Sequence, residues 1–208
     1  MNAILLGFGG WLAAGLVGYL LGSIPSGLWI TRLRTGKDLR QFGSGHTGAT
    51  STMRVAGWGA GVLAVILDIG KGALSVWLAI RFGPAGSAVL AAAAVVIGHC
   101  FPLYAQFRGG MGAATAAGAV LAAWPLGFVL AIGLAAALTL LLHHAARANV
   151  VSGLLLWILL LVFGASPVAV WVALAAGFVV AARSRIDWNR HYQELWLDRP
   201  NREPQGDD

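Results

Sequence analysis

Three stretches of the chain carry residues whose types and spacing could do chemistry. Asp68 and Lys71 stand three residues apart inside an apolar run, which places both on one face of a helix, where neither charge can sit unpaired in hydrocarbon without a large penalty. They are expected to pair, either as a structural ion pair that orients the bundle or with Asp68 holding Lys71 beside an anionic substrate. The other two stretches combine glycine with hydroxyl side chains. One begins Gly22-Ser23-Ile24-Pro25-Ser26-Gly27 and, after a basic stretch, continues as Gly43-Ser44-Gly45-His46-Thr47-Gly48-Ala49-Thr50-Ser51-Thr52-Met53-Arg54; the other is Arg108-Gly109-Gly110-Met111-Gly112-Ala113-Ala114-Thr115. Glycine matters here because backbone N–H groups approach an anion only where no side chain intervenes. Both clusters lead into a helix start, whose free N–H groups and positive dipole end suit phosphate. Glycine pairs also serve helix packing and turns, so either cluster alone would be ambiguous; two on one membrane face favour a site.

Arg54, at the end of the hydroxyl-rich run, is placed to grip a phosphate bidentately, although a flanking arginine is also what membrane topology demands. His99 precedes Cys100-Phe101-Pro102 near a helix end and reads as a hydrogen-bonding residue or a catalyst. Several other chemistries are disfavoured. Gly43 to Gly48 has the glycine spacing of a nucleotide-binding P-loop, but Ala49 stands where its lysine is needed. Cys100 is the only cysteine, so no intramolecular disulfide and no cysteine-based zinc cluster can form. The scattered histidines give no metal-binding pair, and His143 and His144, being adjacent, point to different sides of a helix. Neither cofactor nor metal is expected.

The elements that must position these residues are membrane helices. Apolar residues make up 58% of the chain and charged ones only 11%, a balance suited to a bilayer and not to a soluble core. The net charge of +6 comes from basic residues sitting between apolar runs, without the aromatic-interleaved basic face of a nucleic-acid binder, so no nucleic-acid partner is expected. A spanning helix needs about 20 apolar residues, and seven candidate spans emerge at 4-22, 58-80, 86-103, 111-124, 126-143, 150-164 and 167-182, the fourth and sixth being short. The first has no basic leader or small-residue cleavage site and reads as a retained span. Pro125 and Pro167 fall where helices should stop and turn. Small-residue runs such as Ala91 to Ala94 and Ala113 to Ala123 allow close backbone approach in lipid.

With the N-terminus outside, the inner segments hold Arg32, Arg34, Lys37, Arg40, Arg54, Arg108, Arg147, Arg183, Arg185, Arg190, Arg199 and Arg202, against Arg81 alone outside. That asymmetry predicts an inside C-terminus and a cytoplasmic working surface. Residues 1-199 read as one integral membrane domain. Its C-terminal stretch from Arg183, with Trp188, Tyr192 and Trp196, suits an interfacial helix, and residues 200-208 read as a disordered polar tail.

The ordered series formed by Gly22 to Gly27, the Gly-Ser-Gly run into Gly48-Ala49-Thr50, Arg54, Asp68-Ile69-Gly70-Lys71-Gly72, Gly98-His99-Cys100-Phe101-Pro102 and Gly109 to Thr115 resembles the PlsY-type family of acyl-phosphate:glycerol-3-phosphate acyltransferases, over most of residues 20-155. The resemblance implies an all-α helix bundle in the bacterial inner membrane. It implies an activity that moves a fatty acyl group from acyl-phosphate to the 1-hydroxyl of glycerol 3-phosphate, giving lysophosphatidic acid, with membrane lipid around it and no obligate protein partner. The catalytic set it implies is Ser23, Arg54, Lys71 and His99. The substrate-binding set is Ser44, Gly45, His46, Thr47, Thr50, Arg108, Gly109, Gly110, Gly112, Thr115 and Ser152. Because acyl-phosphate is an activated donor, positioning and charge stabilisation matter more than a protein nucleophile, and direct transfer is preferred to an acyl-serine on Ser23, which has no assignable relay.

The chain departs from the family pattern at Met111, where a lysine is usual, at His46 and Ser51, where asparagines are usual, and around Ser184-Arg185-Ile186-Asp187, where a His-Arg-Glu-Asn-type motif is expected. A paralogue with another donor or acceptor, a small-solute transporter, or a non-catalytic lipid-binding protein are the alternatives, although the one-sided glycine clusters lack the matching halves of an inverted-repeat transporter.

Overall fold

The computed structural model describes residues 2–43 and 45–190, with side chains from Phe8 onward. Regular structure among the described residues is entirely helical: α1 (Asn2–Gly22), α2 (Ser26–Thr35), α3 (Ala49–Ala56), α4 (Trp58–Phe82), α5 (Ser87–Cys100), α6 (Ala113–Ala123), α7 (Pro125–Leu142), α8 (Ala145–Val162) and α9 (Pro167–Arg185), with short 3-10 turns at Leu39–Gln41 and Leu103–Ala105. Six segments among them are long and apolar enough to cross a membrane. The fourth expected span, 111-124, is the eleven-residue α6. At 1.5 Å per residue it reaches roughly 16 Å, about half the hydrocarbon thickness. It is cut short at both ends, by Gly112 in the left-handed region (φ 85°) and by Trp124, an extended residue ahead of Pro125 at the start of α7.

The N-terminal half of α8 also departs from the sequence expectation. The helix starts at Ala145 rather than 150, because His144 caps it by accepting from the Arg147 amide, and the Arg147 side chain finds partners beyond the helix. Its Nε donates to the Trp188 carbonyl at 3.2 Å and its guanidinium lies 5.7 Å from the Trp188 ring centre. Charge within a helix is tolerable where it reaches interfacial partners.

Lipid is as apolar as leucine, so helices in it associate by close packing, not by hydrophobic burial. The interior is accordingly built from small side chains, among them Val76, Ala91, Val95, Ala119, Val172, Ala173 and Ala176. Bulky residues such as Val129, Ile132, Leu141 and Phe178 point outward. Three helix pairs cross backbone to backbone. A methyl on Gly22 would strike the Val95 carbonyl and one on Gly98 the Tyr19 carbonyl, joining α1 to α5; Gly72 and Gly118 join α4 to α6, and Gly153 and Gly177 join α8 to α9.

The charged segments gather at one end of the bundle. Asp38 caps the first 3-10 turn and binds both Arg40 and Arg32 at 2.7 Å. Arg40 in turn donates to the Ala105 carbonyl and to Gln106. The hydrogen bonds from Arg40, with assistance from Arg32, hold the Asp38 carboxyl well below the usual carboxylate range. Across the same end, His46 meets Asp187 at 3.1 Å. The expected interfacial stretch is seen only as far as Arg190, with Trp188 between Arg147 and Arg185; Tyr192, Trp196 and the expected tail at 200–208 lie outside the described residues.

Candidate active site

α4 carries Asp68 and Lys71 one turn apart on its buried face, and the two side chains meet at 2.8 Å. Their remaining hydrogen-bonding capacity goes to the break between α1 and α2. Pro25 interrupts the helical ladder there. Lys71 Nζ donates to the Ile24 carbonyl at 2.9 Å and Ser26 Oγ donates to Asp68 Oδ1 at 3.1 Å. The Gly-Ser-Ile-Pro-Ser-Gly sequence therefore docks a bent backbone onto an intramembrane ion pair, which satisfies both charges.

The pair also reaches α5. His99 Nδ1 lies 3.6 Å from Asp68 Oδ1 and 3.1 Å from Thr115 Oγ1, a residue in the first turn of α6. The second glycine loop is folded against this histidine: the Gly110 amide donates to the His99 carbonyl at 3.3 Å, and a methyl at Gly109 or Gly110 would overlap the His99 carbonyl or ring. Only glycine permits that approach.

On the other side of this network opens a cavity of about 470 Å³, lined by His46, Gly48 to Ser51, Asp68, His99, Gly110 to Ala114 and Asn149, with Trp58 and Val65 among its apolar wall residues. Two helix N-termini face it. α3 starts after Gly48 and α6 after Gly112, neither with a side-chain cap. The first internal bonds run from Thr52 to Gly48 and from Ala116 to Gly112, so the amides of Ala49, Thr50 and residues 113–115 take no part in the helical ladder.

The structure brings together in this cavity the expected site residues His46, Thr50, His99, Gly110 and Gly112. Lys71 and Thr115 stand behind it, bonded to Asp68 and His99. Arg54 is one turn along α3, on the face of Thr50 and Ser51 by helical spacing, and its Nε and Nη2 are buried without a hydrogen-bond partner. Ser23 is fully buried beside Gly98, its hydroxyl unpartnered, and Thr47 is buried against Gly27. Gly45, Arg108 and Gly109 line a different cavity. Ser152 lines a narrow cleft among α6, α8 and α9, with its hydroxyl on the Asn149 carbonyl. Ser44 falls outside the described residues.

Sequence reasoning missed Asn149 and Asp187. Asn149 Nδ2 donates to Met111 Sδ at 3.2 Å, so the thioether at the position where a lysine is usual is held by an amide on α8. Asp187 is buried and binds His46, Arg183 and Arg190. Burial pushes the His46 imidazole below its usual pKa, against the raising effect of Asp187. A lone acidic residue among arginines was the available signal for Asp187; Asn149 offered none.

The family model described as glycerol-3-phosphate acyltransferase matches residues 12–194. The chain belongs to that family. The glycerol-3-phosphate acyltransferase of Listeria monocytogenes is 40% identical over 79% of this chain and 85% of its own, and that of Synechococcus is 40% identical over 84% and 88%. The Enterococcus faecalis protein is 50% identical, over 55% of this chain and 53% of its own length. Among solved structures, the integral membrane glycerol 3-phosphate acyltransferase PlsY (YgiH) in its glycerol 3-phosphate form superposes with a TM-score of 0.76 at 32% identity, covering 86% of this chain and 90% of that one. Its lysophosphatidic acid form gives 0.74 at 30%. The glycerol-3-phosphate acyltransferase fold thus accommodates His46, Met111 and Asp187 within one helical framework.

Proposed function

We propose that this chain transfers a fatty acyl group from acyl-phosphate to the 1-hydroxyl of glycerol 3-phosphate, giving lysophosphatidic acid, in a bacterial inner membrane with its site facing the cytoplasm. The observation that carries the reading is the convergence of two uncapped helix N-termini, those of α3 and α6, on one cavity with apolar walls. Such amides suit phosphate oxygens, and apolar walls suit an acyl chain. Glycerol 3-phosphate is the molecule in the structure of the PlsY relative, which supports the acceptor. The clustering of arginines at the same end supports the cytoplasmic orientation.

In the proposed step the 1-hydroxyl oxygen attacks the acyl carbon. The acyl carbon–phosphate oxygen bond breaks, orthophosphate leaves with the electron pair, and the hydroxyl proton passes to a phosphate oxygen. Charge developing on the departing phosphate is stabilised by the amides at the starts of α3 and α6 and by the Arg54 guanidinium, whose Nε and Nη2 have no hydrogen-bond partner. Lys71 and Asp68 act as positioning residues: they fix the α1–α2 break and, with Thr115, set His99 against Gly110.

The test is incorporation of labelled glycerol 3-phosphate into lysophosphatidic acid by the purified chain, with acyl-phosphate, acyl-CoA and acyl-carrier protein offered separately. Product from acyl-phosphate is expected, with a loss of about 100-fold or more in Arg54→Ala. Product from another donor alone would overturn the donor assignment, and none from any donor with folded protein would overturn the acyltransferase reading.

A further inference from the structure

The reaction cavity has a wall that the step described above leaves unused. It is made by the end of α7 and the first turns of α8, and its polar side chains are Thr139 and Asn149. Thr139 spends its hydroxyl proton on the Ala135 carbonyl of its own helix at 2.7 Å. Asn149 differs, because its amide reaches across to the loop before α6 and donates from Nδ2 to Met111 Sδ at 3.2 Å. That contact fixes which way the amide faces: turned over, it would set a carbonyl oxygen against the lone pairs of a thioether, acceptor against acceptor. Both ends of the contact are held. Met111 precedes Gly112, whose left-handed backbone (φ 85°) starts α6, and Asn149 lies one turn before Gly153, where α8 is locked against α9. Oδ1 is therefore the end of the amide left for the cavity. No donor reaches it among the described residues, and it is not sealed off by the fold. Asp68 and His99, which also line the cavity, are bases as well as acceptors; an amide oxygen is an acceptor alone.

An acceptor that is not a base suits a hydroxyl that must be held and must not react. Glycerol 3-phosphate carries two hydroxyls, on C1 and C2, and an activated acyl carbon is open to attack by either. We propose that Asn149 Oδ1 accepts a hydrogen bond from the 2-hydroxyl and so leaves the 1-hydroxyl as the nucleophile, with Met111 as the positioning residue that aims the amide. A carboxylate or imidazole in the same place would draw off the proton and turn the 2-hydroxyl into a competitor. The bond changes in the transfer are those given above, and the 2-hydroxyl keeps its proton throughout. The inference rests on the acyltransferase reading and adds to it the feature of the acceptor that this wall selects: a hydroxyl beside the carbon that is acylated.

The test compares two acceptors on the full chain in lipid nanodiscs, glycerol 3-phosphate and 3-hydroxypropyl phosphate, which has the same phosphate and primary hydroxyl but no 2-hydroxyl. The unaltered chain should bind glycerol 3-phosphate about tenfold more tightly, the worth of one hydrogen bond. Asn149→Leu should abolish that preference by weakening glycerol 3-phosphate alone. Met111→Leu conserves volume but removes the sulfur that aims the amide, so it should narrow the preference without abolishing it. Thermal unfolding checks that each variant is folded. In turnover the kcat/KM ratio of the two acceptors should follow the same order, and the share of 2-acyl product, read after an acid quench, should rise in Asn149→Leu. A merely structural role for Asn149 would weaken both acceptors equally, and that result would overturn the proposal. So would an unaltered chain that does not distinguish the two acceptors or binds neither, an outcome that needs no variant to fold. If the chain proves inactive with every donor, the proposed reaction fails, while the binding ratio still decides whether Asn149 reads the 2-hydroxyl.

Discussion

The crossing of α4 with α6 and the crossing of α8 with α9 use the same device and hold opposite contents. In each, paired glycines bring two backbones together so closely that an added methyl would meet a carbonyl: Gly72 and Gly118 in one, Gly153 and Gly177 in the other. Between α8 and α9 the neighbours are Leu156, Ala173, Ala176 and Val180, an apolar seam. Between α4 and α6 the same turns carry Asp68, Lys71 and Thr115, all buried and hydrogen-bonded onward to Ser26, Ile24 and His99. Close approach in lipid is thus a packing solution indifferent to chemistry. What differs is tolerance: an apolar seam can relax by a fraction of an ångström, whereas a network of hydrogen bonds between 2.8 and 3.1 Å loses its geometry with the same shift.

The largest difference should come from the charge at the centre of the polar crossing. Asp68→Asn keeps the shape but leaves Lys71 buried with a carbonyl as its main partner, a loss of about 3–5 kcal/mol for a broken buried pair. It also frees His99 to shift against Gly110. Unfolding in detergent together with acyl transfer should show both a sharply lowered transition and activity near background. Full stability in Asp68→Asn would mean that the ion pair does not hold the bundle.

The next prediction separates packing from positioning. Gly118→Val and Gly177→Val each force two helices apart, and overpacking of this kind costs about 1–3 kcal/mol. Their stabilities should fall alike. Their kcat values, measured at a temperature where both remain folded, should not: Gly118→Val displaces α6 and with it the amides lining the reaction cavity, while Gly177→Val acts on the apolar seam. Equal losses of kcat would show that the two crossings are not distinct in function.

The same distinction governs what was legible in the sequence. The apolar spans could be read because hydrocarbon excludes charge, and the Asp68–Lys71 pairing could be read because a helix sets the spacing of residues three apart. Both glycine clusters could be recognised as helix starts, one at a time. Their convergence on a single cavity could not, because residues 48–51 and 110–114 meet only through the bundle. Nor could the partners of the ion pair, Ile24 and Ser26, which lie more than forty residues away. The half-length of α6 was missed for a simpler reason: its composition is as apolar as a full span, and only the backbone turns at Gly112 and Trp124 cut it short. Arg40 and Arg183 looked like topology markers and Arg108 like a substrate contact, since nothing local shows that the three share a wall.

The smallest expected effect sharpens the comparison by moving the ion pair into water. Asp38 binds Arg40 and Arg32 at 2.7 Å, as short as any contact in the polar crossing, but Arg32 is half exposed and Asp38 and Arg40 each leave 16% of the side chain in solvent. Solvent and salt screen such a pair, so Asp38→Asn should cost only about 0.5–1 kcal/mol. Its pH dependence has a definite sign. Arg40 lowers the folded-state pKa of Asp38 below the ordinary 3.8, so the carboxylate's contribution is fully present above that ordinary value and is lost as pH falls through the lower folded value. The stability difference between the unaltered chain and Asp38→Asn should therefore be flat from neutral pH to about pH 5, then shrink in more acid solution. Added salt should shrink it at neutral pH as well, while leaving the penalty of Asp68→Asn nearly untouched. Unfolding curves of the two variants across pH and salt would measure this directly, and a salt-sensitive Asp68→Asn penalty would show that water reaches the ion pair on α4.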